Sequence, residues 1–164
     1  MRVLGIDPGT ARIGYGVVDE TSDGTLLAVA YGVITTPPSL PMPQRLEMIY
    51  DDLVLLIEQY QPDRSAVEEL FFAKNVTTAI TVAQGRGAIL LALQKAMIPI
   101  AEYKPNFIKQ SLTGYGGASK TQMQEMIRIL LGLEHIPTPD DAADGLAISI
   151  ADIHSTRYGG EQIS

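Results

Sequence analysis

The chain contains no cysteine and no tryptophan, and only two histidines among its 164 residues. Without cysteine there are no disulfides, no thiolate chemistry and no sulfur-ligated zinc. His135 and His154 stand isolated from each other and from any other ligand type, and both read as structural or solvent-facing. Positive charge is in deficit: 12 Lys and Arg against 19 Asp and Glu leave a net charge of −7, which at first argues against a nucleic-acid partner. No apolar run approaches the ~20 residues needed to cross a bilayer. Met1-Arg2-Val3-Leu4 enters a strand at once and shows no signal-peptide pattern, so the expected location is cytoplasmic, with no membrane association. The composition is 46% hydrophobic and 19% charged, that of a globular chain, and the length suits one domain over residues 1–164.

The charge is unevenly spread. Residues 1–69 hold four basic and eleven acidic side chains, and residues 133–164 hold one basic and six acidic. Between them, residues 70–132 hold seven basic side chains and two acidic. A positive block inside an acidic molecule suits a local nucleic-acid surface, with the overall charge limiting non-specific association.

The first thirty-five residues read as three strands. Residues 2–7 are the first, and residues 13–20 alternate Ile13, Tyr15, Val17 against Gly14, Gly16, Val18. Asp23-Gly24 marks a hairpin turn and residues 25–34 the third strand. After a Pro-rich loop, Leu46, Ile49, Tyr50, Leu53, Leu56, Ile57 and Tyr60 recur at helical spacing until Pro62. A short strand at 64–68, a helix over about 75–97 and a fifth strand at 98–102 follow. Short helices near 105–112 and 120–131 lead to a last helix opened by Thr138-Pro139, with Thr138 as cap. Meander connections make the first three strands antiparallel, and helical crossovers make the later two parallel to their neighbour. The predicted fold is α/β: a mixed five-stranded sheet flanked by helices.

Four acids stand at the rim of this core. Asp7 ends the apolar run Val3-Leu4-Gly5-Ile6, and Glu68 ends Ala66-Val67. Ala66 and Glu68 share one face of their strand, Val67 and Glu69 the other. Asp141 and Asp144 lie one helical turn apart, on a stripe with Ala147, Ile148 and Ala151 that faces the sheet. First-turn placement accounts for Asp140 and Asp141 through the helix dipole, but Asp144 lies beyond that turn. Carboxylates at a core rim are costly without a cationic partner, and an oxygen-ligated divalent metal is the natural one in a chain so poor in sulfur and imidazole ligands. Phe71-Phe72 beside Lys74 suits stacking on an unpaired nucleotide, with one of the two phenylalanines filling the core. Ala79, Ala83, Gly85, Gly87, Ala88 and Ala92 allow close helix packing, against the chain's own sheet or a second subunit.

Together these residues resemble the RuvC family of Holliday-junction resolvases, on the RNase H-like fold. The resemblance runs from Arg2 to about His154. It is carried by Gly5-Ile6-Asp7-Pro8-Gly9-Thr10 with Gly14-Tyr15-Gly16, by Val67-Glu68 with Phe71 and Ala73-Lys74-Asn75, by Gln84-Gly85-Arg86-Gly87, by Lys109-Gln110 and Lys120, and by Asp141-Ala142-Ala143-Asp144-Gly145-Leu146-Ala147. It implies catalytic and metal-holding roles for Asp7, Glu68, Asp141 and Asp144, with two Mg²⁺ per site and Mn²⁺ able to substitute. It implies DNA contacts from Phe71, Lys74, Asn75, Arg86, Lys109 and Lys120. It further implies a homodimer that makes paired symmetric nicks in four-way DNA junctions during recombination and repair, leaving 5′-phosphate and 3′-hydroxyl ends, beside the branch-migration complex of bacterial recombination. Asp141 is open between metal ligand and water-orienting base. The chemistry suits the residues, since two metals about 4 Å apart activate water, neutralise a phosphate and stabilise the leaving oxygen. Three other readings remain: an actin-like ATPase, suggested by the Asp-x-Gly-Thr turn; a junction-binding module that does not cut; and a nuclease of the YqgF group on the same fold.

Overall fold

The computed structural model describes residues 1–70 and 75–158. The elements are β1 (Arg2–Asp7), β2 (Arg12–Glu20), β3 (Leu26–Thr35), α1 (Met42–Tyr60), β4 (Arg64–Glu68), α2 (Val76–Lys95), β5 (Ile100–Tyr103), α3 (Pro105–Thr113), α4 (Lys120–Leu130) and α5 (Asp140–Arg157). The five strands lie in the order β3-β2-β1-β4-β5. β1 and β2 are antiparallel, as are β2 and β3, whereas β4 is parallel to β1 and β5 to β4. This is the mixed sheet that the sequence predicts.

Alternation along the strands divides the core in two. Leu4, Ile6, Ile13, Val17 and Val67 point toward α1 and α2, where Ile49, Leu53, Ile89 and Leu93 cover them. Val3, Val18 and Ala66 point the other way, under Ile108 of α3, Ile127 of α4 and Leu146, Ile150 and Ile153 of α5. The helix α2 departs from the sequence reading on apolar runs: it has 20 residues and a window of mean hydropathy 1.4, long and apolar enough to cross a bilayer. Here it packs Ala79, Gly85, Ile89, Ala92 and Leu93 into the domain instead. Thr138 does not cap α5; Pro139 takes the cap position with no side-chain hydrogen bond, and the Thr138–Pro139 peptide is cis.

The helix α5 lies against β1 and β2 at backbone distance. A Cβ at Gly16 would sit 2.5 Å from the Leu146 nitrogen, and one at Gly14 would overlap the Asp141 carbonyl. Ser149, fully buried on α5, donates to the Gly16 carbonyl at 2.8 Å. Further along, the fully buried Asp152 accepts Arg64 Nε at 2.5 Å, Arg64 Nη2 at 2.9 Å and the Tyr103 hydroxyl at 2.7 Å. This triad ties α5 to β4 and β5. Tyr103→Phe removes one of those donors, and we expect a loss of about 1–2 kcal/mol, or roughly 3–6 °C in Tm by calorimetry, with helix content unchanged.

Candidate active site

Asp7 and Glu68 end adjacent parallel strands. Ile6 stands beside Val67 in the register, so Asp7 and Glu68 emerge together at the carboxyl edge of the sheet, the edge where open α/β sheets bind their ligands. Asp7 also pairs across β1–β2 with Gly14. Because Gly14 has no side chain, the first turn of α5 settles directly on β2, which brings Asp141 and Asp144 over Asp7. Carboxylate oxygens of Asp7, Asp141 and Asp144 all lie within 4.8 Å of one another. Glu68 stands outside that trio, and its charge acts on Asp7 from the adjacent strand β4. Asp7 is thus common to two acidic groupings, one with α5 and one with β4.

The electrostatics record the crowding. Burial, then the charges of Glu68 and Asp144, push the Asp7 carboxyl up to about 8. Asp144 is raised by burial, opposed by Lys120 and reinforced by Asp141. Glu68 is raised by burial, opposed by the proton Asp7 donates and reinforced by Asp144. These acids open onto a cleft of about 260 Å³ that is also lined by Lys109 of α3 and by Lys120 and Gln124 of α4. Clustered hard oxygen donors that suffer mutual repulsion fit a divalent cation, which would replace the shared protons with positive charge.

A raised carboxyl favours folding below the ordinary carboxylate range and loses that contribution as pH rises toward 8. In EDTA the urea midpoint should therefore fall between about pH 5 and pH 8 through this site, and saturating MgCl₂ should restore it. A midpoint indifferent to Mg²⁺ at pH 8 would contradict the fit.

The remaining sequence-predicted residues divide. Lys109 and Lys120 line the acidic cleft, and Lys120 Nζ lies 3.0 Å from Asp140, in the first turn of α5. Asn75 caps α2, its Oδ1 accepting Thr77 N at 3.0 Å and Thr78 N at 3.3 Å. Arg86 pairs with Glu102 of β5 and reaches the Glu68 carbonyl at 3.4 Å. Asn75 and Arg86 also line a neighbouring groove of about 440 Å³ with Glu68, Glu69 and Leu70. Phe71 and Lys74 lie outside the described residues, as do Phe72 and Ala73. His154 Nδ1 sits 3.1 Å from the Ser111 carbonyl oxygen, a structural contact between α5 and α3.

Sequence reasoning missed Arg12. Its Nε donates to Asp141 Oδ2 at 2.7 Å. The available signal was parity: Arg12 precedes Gly14 by two residues and so rises from the same face of β2, beside the ground that α5 occupies. Lys120 was found, but its partner Asp140 was read only as a dipole acid.

Residues 3–152 match the family model described as "Crossover junction endodeoxyribonuclease RuvC". The chain belongs to the RuvC family. A crossover junction endodeoxyribonuclease RuvC of Chloroflexus aggregans is 59% identical over 150 residues, covering 92% of this chain and 91% of that protein. The solved RuvC of Thermus thermophilus superposes with a TM-score of 0.91 at 34% identity, covering 98% of both chains. The same protein in complex with a Holliday junction substrate matches with a TM-score of 0.89 at 32% identity, over 98% of each chain. RuvC membership over nearly the whole length excludes the actin-like ATPase reading of the Asp-x-Gly-Thr turn, and the fold is RNase H-like.

Proposed function

We propose that this RuvC-family chain is a divalent-metal-dependent endonuclease that resolves four-way DNA junctions. One observation carries the reading: four carboxylates from three separate elements converge at the sheet edge, with Asp7, Asp141 and Asp144 within 4.8 Å of one another and Asp7, Glu68 and Asp144 lining a cleft with Lys109 and Lys120. The Holliday junction complex of the Thermus relative supports the choice of substrate.

Bound divalent ions supply Lewis acidity at the phosphate and a water activated near neutral pH. Asp7, central to both acidic groupings, would be the ligand that holds them. Glu68 flanks it from β4 and Asp144 from α5, while Asp141 completes the α5 side. Lys109 and Lys120 draw the DNA backbone over the acids, where a net-negative protein would otherwise repel it. Arg86 fixes the end of β4 and Asn75 the start of α2, so both shape the neighbouring groove along which a strand can run. Phe71 and Lys74, which follow Glu68 in the sequence, are assigned to stacking and phosphate contact.

Paired nicks at symmetric positions need two sites related by a two-fold axis. The exposed side of α2 offers Ile80, Ala83, Gln84, Gly87 and Leu91 at helical spacing, a stripe of small and apolar side chains suited to a second copy of the same helix. On this reading the protein is a homodimer, uses Mg²⁺ or Mn²⁺, works in the bacterial cytoplasm beside the branch-migration complex, and leaves 5′-phosphate and 3′-hydroxyl ends.

A synthetic four-way junction separates the possibilities. With Mg²⁺ we expect two nicks at symmetric positions that ligase can seal, and with EDTA binding alone. Binding without nicks at any divalent metal would instead favour a junction-recognition module, and preference for a substrate other than four-way junctions would favour the YqgF type.

A further inference from the structure

We propose that Arg12 is an internal counter-ion of the acidic site, holding Asp141 while no metal is bound and setting the divalent-ion concentration at which the site fills. This rests on the metal reading above. The geometry is specific. Arg12, Gly14 and Gly16 share one face of β2, and the space left by Gly14 receives the first turn of α5. Arg12, at the start of β2, therefore stands next to Asp141, and its Nε meets Asp141 Oδ2 at 2.7 Å. Asp141 is a member of the trio within 4.8 Å, so the guanidinium neutralises one of the charges that would otherwise attract a cation.

The other cations near the cleft are placed differently. Lys120 spends its short contact on Asp140, which is outside the trio. Lys109 acts on Glu68 through its field alone. Among the described residues, Arg12 is the basic side chain hydrogen-bonded to a trio member. The pair is also open to water, with side chains 53% and 35% exposed. Exposed pairs are weak, so an arriving divalent ion can displace the guanidinium without a large barrier.

A counter-ion and a purely structural strut predict opposite signs. Removing a strut loosens Asp141 and weakens metal binding. Removing a counter-ion raises the negative potential of the cluster and tightens it. The test is Mn²⁺ titration of the DNA-free protein, followed by the electron paramagnetic resonance of free Mn²⁺, on the native chain, Arg12→Ala, Asp141→Asn and the double variant.

We expect Arg12→Ala to bind Mn²⁺ about fivefold more tightly than the native chain, the scale of an exposed ion pair, and the gain to vanish when Asp141 is already Asn. Equal or weaker binding by Arg12→Ala overturns the counter-ion role while leaving the metal site intact. So does a gain that persists in the Asp141→Asn background. If the native chain itself takes up no Mn²⁺, the metal reading falls and the inference falls with it.

Discussion

Asp7→Asn should abolish junction cleavage while making the metal-free protein more stable. The two effects have one cause. Asp7 is the acid shared by both groupings, so its loss leaves no carboxylate in contact with Glu68 and the α5 pair together. We expect cleavage to fall at least about a thousandfold, the scale on which loss of a reacting group registers. Junction binding, which the proposed function assigns to basic and aromatic side chains, should stay within a few-fold. The same carboxyl is pushed up to about 8 by burial and by its neighbours' charges. Ionising it at pH 8 costs folding free energy, and asparagine removes that cost. In EDTA at pH 8 the variant should gain roughly 2–4 kcal/mol, or roughly 5–10 °C in Tm, with a smaller gain at pH 5. A variant that still cuts would displace Asp7 from the centre of the site, and one that melts lower would mean the carboxylate is not under strain from its neighbours.

Gly14→Ala tests how the acids are brought together. A new Cβ would overlap the Asp141 carbonyl and come within 3.1 Å of the Asp141 Cα. Both are backbone atoms, which no rotamer change can clear. Either β2 or the N-terminal end of α5 must shift, and Asp141 and Asp144 ride on that end of the helix. We expect a loss of about 3 kcal/mol or more, roughly 10 °C in Tm. Displacing the acids by about 1 Å should lower cleavage about a hundredfold in whatever fraction remains folded. Calorimetry and single-turnover cleavage report the two separately. Full activity with an unchanged Tm would show that α5 does not rest on Gly14.

Much of this architecture was legible in the sequence because it is local. Period-two alternation from Ile13 to Val18, the Asp23-Gly24 turn and the helical spacing from Leu46 to Tyr60 are each properties of contiguous residues. Asp7 and Asp144 were legible for a related reason: each interrupts an apolar pattern, and such interruptions need explaining. The parity of β4 puts Glu68 and Glu69 on opposite faces, but it does not say which face looks at Asp7; the register of Val67 beside Ile6 decides that in favour of Glu68.

Pairings between distant residues left no trace in spacing. Arg12 and Asp141 are 129 positions apart, and Arg64 and Asp152 are 88 apart. Asp152 is a fully buried acid held by three donors. Arg86 and Asn75 were assigned to DNA by resemblance. The structure gives both an intramolecular contact as well, with Glu102 and the Glu68 carbonyl for the first and with the start of α2 for the second.

The most direct test of the shared-cation account is anomalous scattering from a crystal of the native chain soaked in Mn²⁺. The account predicts peaks against the Asp7 carboxylate, one on the side of Asp144 and Asp141 and one on the side of Glu68, both missing in Asp7→Asn. Density free of any anomalous peak at Asp7, with Mn²⁺ bound elsewhere on the protein, would contradict it.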